Sequence, residues 1–345
     1  MTFIDFFAGI GGFRAGLTQA GFRCVGFCEK DKYAVKSYRA IHAPDEKEWF
    51  SDDIQELASS DIPYAEGWTA GFPCGDISLC GGRSGLRGRR SRLFFEIVRL
   101  IKGKAPEDKP RWLLLENVKN LLSIGGGRDF TEVLYQISAV GYDCEWQIIN
   151  SKSYVPQNRE RVFIIGHLRD GRSRKVFPVG ITNAKTPVEL VGGSQGRRVY
   201  DPAGIGVTLT AEGGGGAKTG LYFIDLNKDP KITDTARCVK AQYDAGITNH
   251  KGSNSGVFVC GRIGKDAAHT LTASCKQGVV TLTGRIRRLT PLESFRLQGY
   301  SDEMFYKARA VNSDNQLYRQ IGNSVTVPVI RDIGGKLREA YHAKA

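Results

Sequence analysis

No run in this sequence comes near the roughly 18 consecutive uncharged apolar residues that a membrane-crossing helix needs, so no membrane span is expected. The first residues, MTFIDFFAGIGGF, carry no basic stretch ahead of their apolar run, and Asp5 interrupts that run. The expectation is therefore a mature domain that begins with a strand, not a secretory leader. No two cysteines are spaced Cys-x-x-Cys. The eight cysteines, at positions 24, 28, 74, 80, 144, 238, 260 and 275, match neither a zinc-ligand spacing nor a secreted disulfide scaffold. They read as free thiols in a reducing, cytoplasmic setting, most of them small buried hydrophobes, with no metal site.

What is present points elsewhere. The 345 residues suffice for two domains and a sizeable core, and 41% hydrophobic with 25% charged residues is ordinary for a globular chain. The net charge of +13 implies a polyanionic partner, and nucleic acid is the usual one. The positive charge is clustered: Arg83, Arg87, Arg89, Arg90 and Arg92 fall close together, and Arg285, Arg287 and Arg288 form a second group.

The first half alternates short apolar runs with helical patterns, which predicts a parallel α/β sheet. The candidate strands are FIDFF (from Phe3), CVGFC (from Cys24), TAGF (from Thr69), WLLLE (from Trp112) and RVFIIG (from Arg161). SRLFFEIVRLIK reads as a helix capped by Ser91, and RDFTEVLYQISAVG as a helix stopped by Gly141. From about residue 180 the helical period fades, and glycine, threonine, serine and lysine dominate. A faint repeat, GVTLTA at 206–211 and HTLTA at 269–273, falls here and suggests repeated strand and turn packing. From Val327 the chain is again an amphipathic helix, expected to pack back on the first domain. The expected division is 1–180, 181–300 and 301–345.

In an open parallel sheet, ligands bind beyond the carboxyl ends of the strands. The chemically distinctive side chains sit at those ends. The first candidate strand runs into Gly9, Gly11 and Gly12, where glycine lets the backbone approach a ligand. The segment departs from the dinucleotide fingerprint, because Arg14 stands where its third glycine belongs. Glu29 is placed to accept hydrogen bonds from ribose hydroxyls and Asp53 from an adenine amino group, which suits any adenosine cofactor. Cys74 follows Pro73 and precedes Gly75, so it sits on a sharp turn exposed to the cleft, and its thiolate is favoured by nearby cations. The glycine- and arginine-rich loop beyond it reads as a lid closing on a nucleic-acid backbone. Glu116 ends an apolar strand, so its carboxyl holds a proton near neutrality and can donate to a ring nitrogen. Arg159 and Arg161 alternate at strand period and face one side.

Taken in order, FIDFFAGIGGFRAGL, GFPCGDISLCG, LLLENVKNL, YVPQNRERVFIIG, RRLTPLESFRLQGY and QIGNSVTVPV closely resemble the C5-cytosine DNA methyltransferases of bacterial restriction–modification systems, over essentially the whole chain. The resemblance implies an α/β, Rossmann-like S-adenosylmethionine-dependent methyltransferase domain with a smaller, loop-rich β target-recognition domain. It implies methyl transfer to C5 of a flipped-out cytosine in a specific double-stranded DNA sequence, through a covalent adduct. Carried over by position, Cys74, Glu116, Arg159 and Arg161 are catalytic. Phe7, Ala8, Gly9, Gly11, Gly12, Glu29, Lys30, Asp53, Ile54, Pro73, Asn323 and Ser324 hold the cofactor. Ser78 and Arg83, Arg87, Arg89, Arg90 and Arg92 meet DNA. The resemblance also implies a monomer in the bacterial cytoplasm or nucleoid, with a cognate restriction endonuclease as a partner. Gly75 departs from the family's glutamine after the catalytic cysteine, which removes a DNA contact there but not the chemistry. The rivals are the same reaction on RNA, a nicotinamide dehydrogenase suggested by the glycine turn, and a DNA-binding protein with a decayed site.

Overall fold

The computed structural model describes residues 1–73, 92–170, 174–180 and 289–342 in full, and the backbone of short strands between 189 and 287. Strands β1 (Thr2–Phe6), β2 (Arg23–Cys28), β3 (Trp49–Ser51), β4 (Gly67–Gly71), β5 (Trp112–Val118), β6 (Tyr142–Asn150) and β8 (Glu160–Leu168) form one sheet in the order β3-β2-β1-β4-β5-β8-β6; β7 (Gln157–Asn158) lies outside it. The neighbours from β3 to β5 pair in parallel, so their carboxyl ends share one edge.

The expectation of a wholly parallel sheet needs correction. β8 runs antiparallel to both β5 and β6. The cause is chain length: β6 ends at Asn150 and β8 begins at Glu160, too short a link for the helical crossover that parallel neighbours require. The sequence reading also missed β6, whose Asp143, Glu145 and Gln147 break any apolar run. It is an edge strand, with Trp146 and Ile148 exposed.

Helices cover both faces because the buried strands alternate apolar side chains to each side. Helices α1 (Gly12–Gln19) and α2 (Lys32–His42) follow β1 and β2, and α3 (Leu93–Lys102) and α4 (Arg128–Ala139) follow β4 and β5. On one face Ile4, Phe6, Leu113 and Leu115 pack with Ile97 and Leu100 of α3 and Val133 and Ile137 of α4. The cap position of α3 is Arg92, which makes no side-chain cap bond, so Ser91 stands one residue too early for the role expected of it and itself lies outside the described residues. Gly141, at φ +106°, turns the chain after α4.

After residue 288 come α5 (Pro291–Leu297), α6 (Asp302–Arg309), α7 (Asp314–Asn323) and α8 (Val327–His342). A Thr290–Glu293 capping box and Pro291 start α5. Ile330, Ile333 and Leu337 of α8 join Phe3, Phe13, Leu17 and Leu114 on the second face of the sheet. Between 181 and 288 the described backbone comprises β9 (Glu189–Val191), β10 (Val199–Tyr200), β11 (Gly206–Val207), β12 (Leu221–Asp225), β13 (Phe258–Val259), β14 (Arg262–Ile263) and β15 (Gly284–Arg287). Four of these strands form a second sheet, β15-β12-β10-β9, and β11 pairs with β7. Apart from Gly206 and Val207, the TLTA repeats lie outside the described residues. Among the described residues no helix is long and apolar enough to cross a membrane.

The α1–α8 contact depends on Gly16. A Cβ there would lie 2.5 Å from the Ile330 Cβ and 2.8 Å from the Val327 carbonyl oxygen. Backbone cannot swing aside as a side-chain tip can, so Gly16→Val should lower unfolding free energy by about 1–3 kcal/mol, read from the denaturant midpoint. An unchanged midpoint would show that α8 is not packed this closely.

Candidate active site

The turn after β1 is built from unusual backbone. Phe7, Gly9 and Gly11 have φ of +54°, +57° and +81°. A phenylalanine there is uncommon and marks a held conformation. The turn is anchored by the Ala8 N–H donating to the Cys28 carbonyl at 3.1 Å and the Gly11 N–H to the Ala8 carbonyl at 2.8 Å. Among the described residues nothing lies within 4 Å of where a Gly9 side chain would begin, so its backbone faces away from them. Gly12 is different: a Cβ there would lie 2.7 Å from the Ser324 Oγ, so its role is close packing.

Beside this turn, Glu29 follows β2. Its carboxylate accepts the Gly9 N–H at 2.8 Å and the Asp31 N–H at 2.7 Å, one on each oxygen. Burial pushes its pKa up, and the Asp31 and Gly9 N–H groups oppose that. Asp53, after β3, accepts from the Gln55 N–H at 3.1 Å and pairs with exposed Lys30. Burial is the largest single effect and raises its pKa, but the Lys30 bond, the Gln55 N–H and the Lys30 charge together hold it below the ordinary carboxylate value. Ile54 is buried in the core with Ile4, Phe6 and Cys28, so it backs this wall. The turn fits an adenosine cofactor: an open glycine backbone, and two carboxylates whose oxygens keep lone pairs for hydroxyl or amino donors.

At the ends of β4 and β5 lies the second half of the site. Phe72 is buried and Pro73 half-buried; Cys74 lies outside the described residues. Asn117 ties the two strand ends together. Its Nδ2 donates to the Phe72 carbonyl at 3.1 Å, and its Oδ1 accepts the Val118 N–H at 2.9 Å. The sequence reading gave Asn117 no role; its place next to Glu116 at the tip of an apolar strand was the available signal. Glu116 is 8% exposed, and Arg161 Nε lies 3.1 Å from its Oε1. A Cβ on Gly71 would meet its other oxygen at 3.7 Å, so the absent side chain leaves the carboxyl room. Burial pushes the Glu116 pKa up, while the Arg161 and Arg159 charges pull it down; burial wins.

The structure thus brings Glu116, Arg159 and Arg161 together, but the arginines differ. Arg161 belongs to β8, whereas Arg159 falls in the break between β7 and β8. Arg159 is buried, and its Nη2 donates to the Gly322 carbonyl at 3.2 Å and the Ser324 carbonyl at 2.8 Å. Asn323 is exposed at the end of α7. Ser324 is buried, with its Oγ 2.7 Å from the Tyr300 hydroxyl. Arg92 is exposed ahead of α3. Ser78, Arg83, Arg87, Arg89 and Arg90 lie, like Cys74, outside the described residues.

Comparison with known proteins shows the family. The model of the C-5 cytosine-specific DNA methylase family matches residues 1–339. The type II methyltransferase M.NlaX of Neisseria lactamica is 32% identical over 344 residues, covering 99% of this chain and 97% of its own. The type II methyltransferase M.BsuFI of Bacillus subtilis is 32% identical over 342 residues, covering 98% and 73%. The S. pombe Dnmt2 methyltransferase superposes with a TM-score of 0.63 over 99% of each chain at 15% identity, a likeness of fold. A match spanning both the glycine turn and the Glu116 half leaves no place for a nicotinamide dehydrogenase, and the chain belongs to the C-5 cytosine-specific DNA methylases, enzymes that methylate cytosine in DNA with S-adenosylmethionine as the methyl donor.

Proposed function

We propose that this enzyme methylates a cytosine swung out of duplex DNA, through a transient bond between Cys74 and the ring. The observation that carries this reading is the buried Glu116 carboxyl, paired with Arg161 and set beside the strand end that leads into Pro73 and Cys74.

C5 of cytosine is a poor nucleophile, and its π-face is covered in a duplex. Extruding the base costs a few kcal/mol, roughly, which phosphate contacts from the arginine-rich 75–92 loop would offset. The Cys74 thiolate adds to C6, and the ring's displaced electron pair moves towards C5 and N3. Glu116 delivers or shares a proton at N3 and accepts from the exocyclic amine. Arg161 faces O2 and favours the thiolate, and Arg159 supports it. When bound, S-adenosylmethionine supplies the electrophilic sulfonium methyl that C5 takes up. Release of the C5 proton to solvent water then returns its bonding pair to the ring and expels the Cys74 thiolate, and N3 gives its proton back to Glu116. One hard displacement becomes two easier steps.

The cofactor is assigned to Phe7, Ala8, Gly9, Gly11 and Gly12, with Glu29 on the ribose, Asp53 with Lys30 at the adenine, Ile54 and Pro73 alongside, and Asn323 and Ser324 closing from the C-terminal side. Residues 181–300 are assigned to target recognition in the major groove, and 301–345 to packing back on the 1–180 domain. The reading includes a monomer in the cytoplasm, with an endonuclease cutting the same unmethylated site. The names of the type II relatives support that last point.

Three tests follow from this chemistry. Cys74→Ala should abolish tritium transfer from labelled cofactor while DNA affinity stays within about twofold, and 5-fluorocytosine in the target should trap an adduct at position 74 in the unaltered enzyme only. Near-normal turnover by the alanine variant would remove the mechanism. Glu116→Gln should cut the single-turnover rate by about 10²–10⁴. The raised pKa of Glu116 gives the sign of its pH dependence: the useful protonated form is lost as pH rises through that pKa, so the native rate falls on the alkaline side and the glutamine variant loses this limb. A native profile identical to the variant's would count against Glu116. Exchanging 181–300 for the corresponding segment of a relative with another target should move the methylated site, as mapped by 5-methylcytosine sequencing; an unmoved site would sink the assignment of that segment.

A further inference from the structure

A connected set of buried polar side chains lies between the sheet and the C-terminal helices, and Gln298 stands at its centre without a role in the chemistry above. Gln298 is fully buried, just beyond α5. Burying an amide is unfavourable unless its donors and acceptor are bonded, and here all of them are. Its Oε1 accepts from the Thr326 hydroxyl at 2.8 Å and the Gln157 Nε2 at 3.2 Å. Its Nε2 donates to the Ile321 carbonyl at 3.1 Å and the Ser324 carbonyl at 3.3 Å. Its own carbonyl accepts the Val327 N–H at 2.9 Å, at the start of α8.

The Ser324 carbonyl is shared. It also accepts from Arg159 Nη2 at 2.8 Å, and the same nitrogen reaches the Gly322 carbonyl at 3.2 Å. Gln298 therefore clamps the turn whose carbonyls anchor Arg159. A guanidinium can swivel about several bonds, so its place beside Glu116 depends on what receives its N–H groups. Among the described residues, the cations acting on the Glu116 carboxyl are Arg161 from β8 and Arg159 from the segment just before it.

We infer that Gln298 is a positioning residue: its amide fixes the 321–324 turn, and the carbonyls of that turn fix the Arg159 guanidinium on the Glu116 side of the site. Its bearing on catalysis rests on Glu116 meeting the target ring, as proposed above, but the positioning itself does not.

The experiment compares Gln298→Met, which removes every side-chain bond, with Gln298→Asn, which keeps a buried amide one methylene short of the turn and so tolerates folding better. Thr326→Val serves as the comparison: it deletes a hydroxyl bonded to Gln298 and to Ser151 but leaves the donors to the turn in place. The Glu116 titration is read directly by infrared difference spectroscopy on protein without DNA, its band identified by loss in Glu116→Gln. The single-turnover pH profile is measured in parallel. With Arg159 loosened, its pull on Glu116 weakens, so the Glu116 titration in both Gln298 variants should rise by up to about one pH unit. Thr326→Val should melt lower yet titrate as the native protein does. An unmoved Glu116 titration in a folded Gln298 variant overturns the inference, and so does an equal rise in Thr326→Val. A raised titration with an unmoved rate profile upholds the positioning and instead removes Glu116 from the reaction.

Discussion

The Glu116 carboxyl sits out of water at the end of β5, and its ion pair with Arg161 is the contact that most other features of the molecule serve. A buried ion pair is not a cheap source of stability, because desolvating both charges consumes most of the Coulombic gain. Removing one partner is worse, leaving a lone buried charge at about 3–5 kcal/mol. Such a pair therefore persists where the fold imposes its geometry. Here the imposition is the reversal of β8. Running antiparallel to β5, it sets Arg161 opposite Val118 and Phe163 opposite Glu116. A parallel β8 would have carried its first residues to the opposite edge of the sheet, far from the carboxyl ends where the glycine turn, Glu29 and Pro73 lie. The antiparallel β8, whose direction the sequence reading did not foresee, is thus what delivers a cation to a cleft built by parallel strands.

The same edge is closed by chain that arrives last. Val325 packs with Phe13 in the core that α8 shares with the sheet, and Ser324 fills the space that Gly12 leaves. Because Gly12 has no side chain, the turn before α8 can lie directly on the first turn of α1. The glycine turn and the Glu116 side thus meet through Ser324, whose carbonyl is bound by Arg159 and whose hydroxyl meets Tyr300. The packing also accounts for the order of the motifs: residues from both ends of the sequence are needed to wall one cleft.

Much of this was legible before any coordinates. Strand ends reveal themselves when an apolar run stops at a glycine, a carboxylate or a proline, and all the parallel strands of the sheet stop in that way. What was not read was of two kinds. β6 is an edge strand without the continuous apolar run of its neighbours; the alternation of Tyr142, Cys144 and Trp146 with Asp143, Glu145 and Gln147 was its signal, and it was passed over. Arg159 looks like the twin of Arg161 in the sequence, two residues away, but its Nη2 is held by backbone carbonyls 163 and 165 residues distant. A bond to backbone leaves no trace in the partner's side chain. The Asn117 bond to the Phe72 carbonyl is hidden for the same reason.

The balance at Glu116 gives this arrangement a direction. Burial raises its proton affinity and two guanidinium groups lower it, so the resting carboxyl is poised between opposed effects of which burial is the larger. On the proposed mechanism an entering cytosine presents its O2 to Arg161 and its N3 to Glu116 at the same time. Hydrogen bonding to O2 spreads the Arg161 charge over a second acceptor and weakens its hold on the carboxyl. The ring also displaces water, which strengthens the desolvation that already favours the neutral acid. Both changes push Glu116 towards holding a proton at the moment N3 can receive one. On the same mechanism a lysine at 161 would supply the charge but not the planar fork that serves a carboxyl and a ring oxygen together, so arginine is the side chain that the proposed role requires.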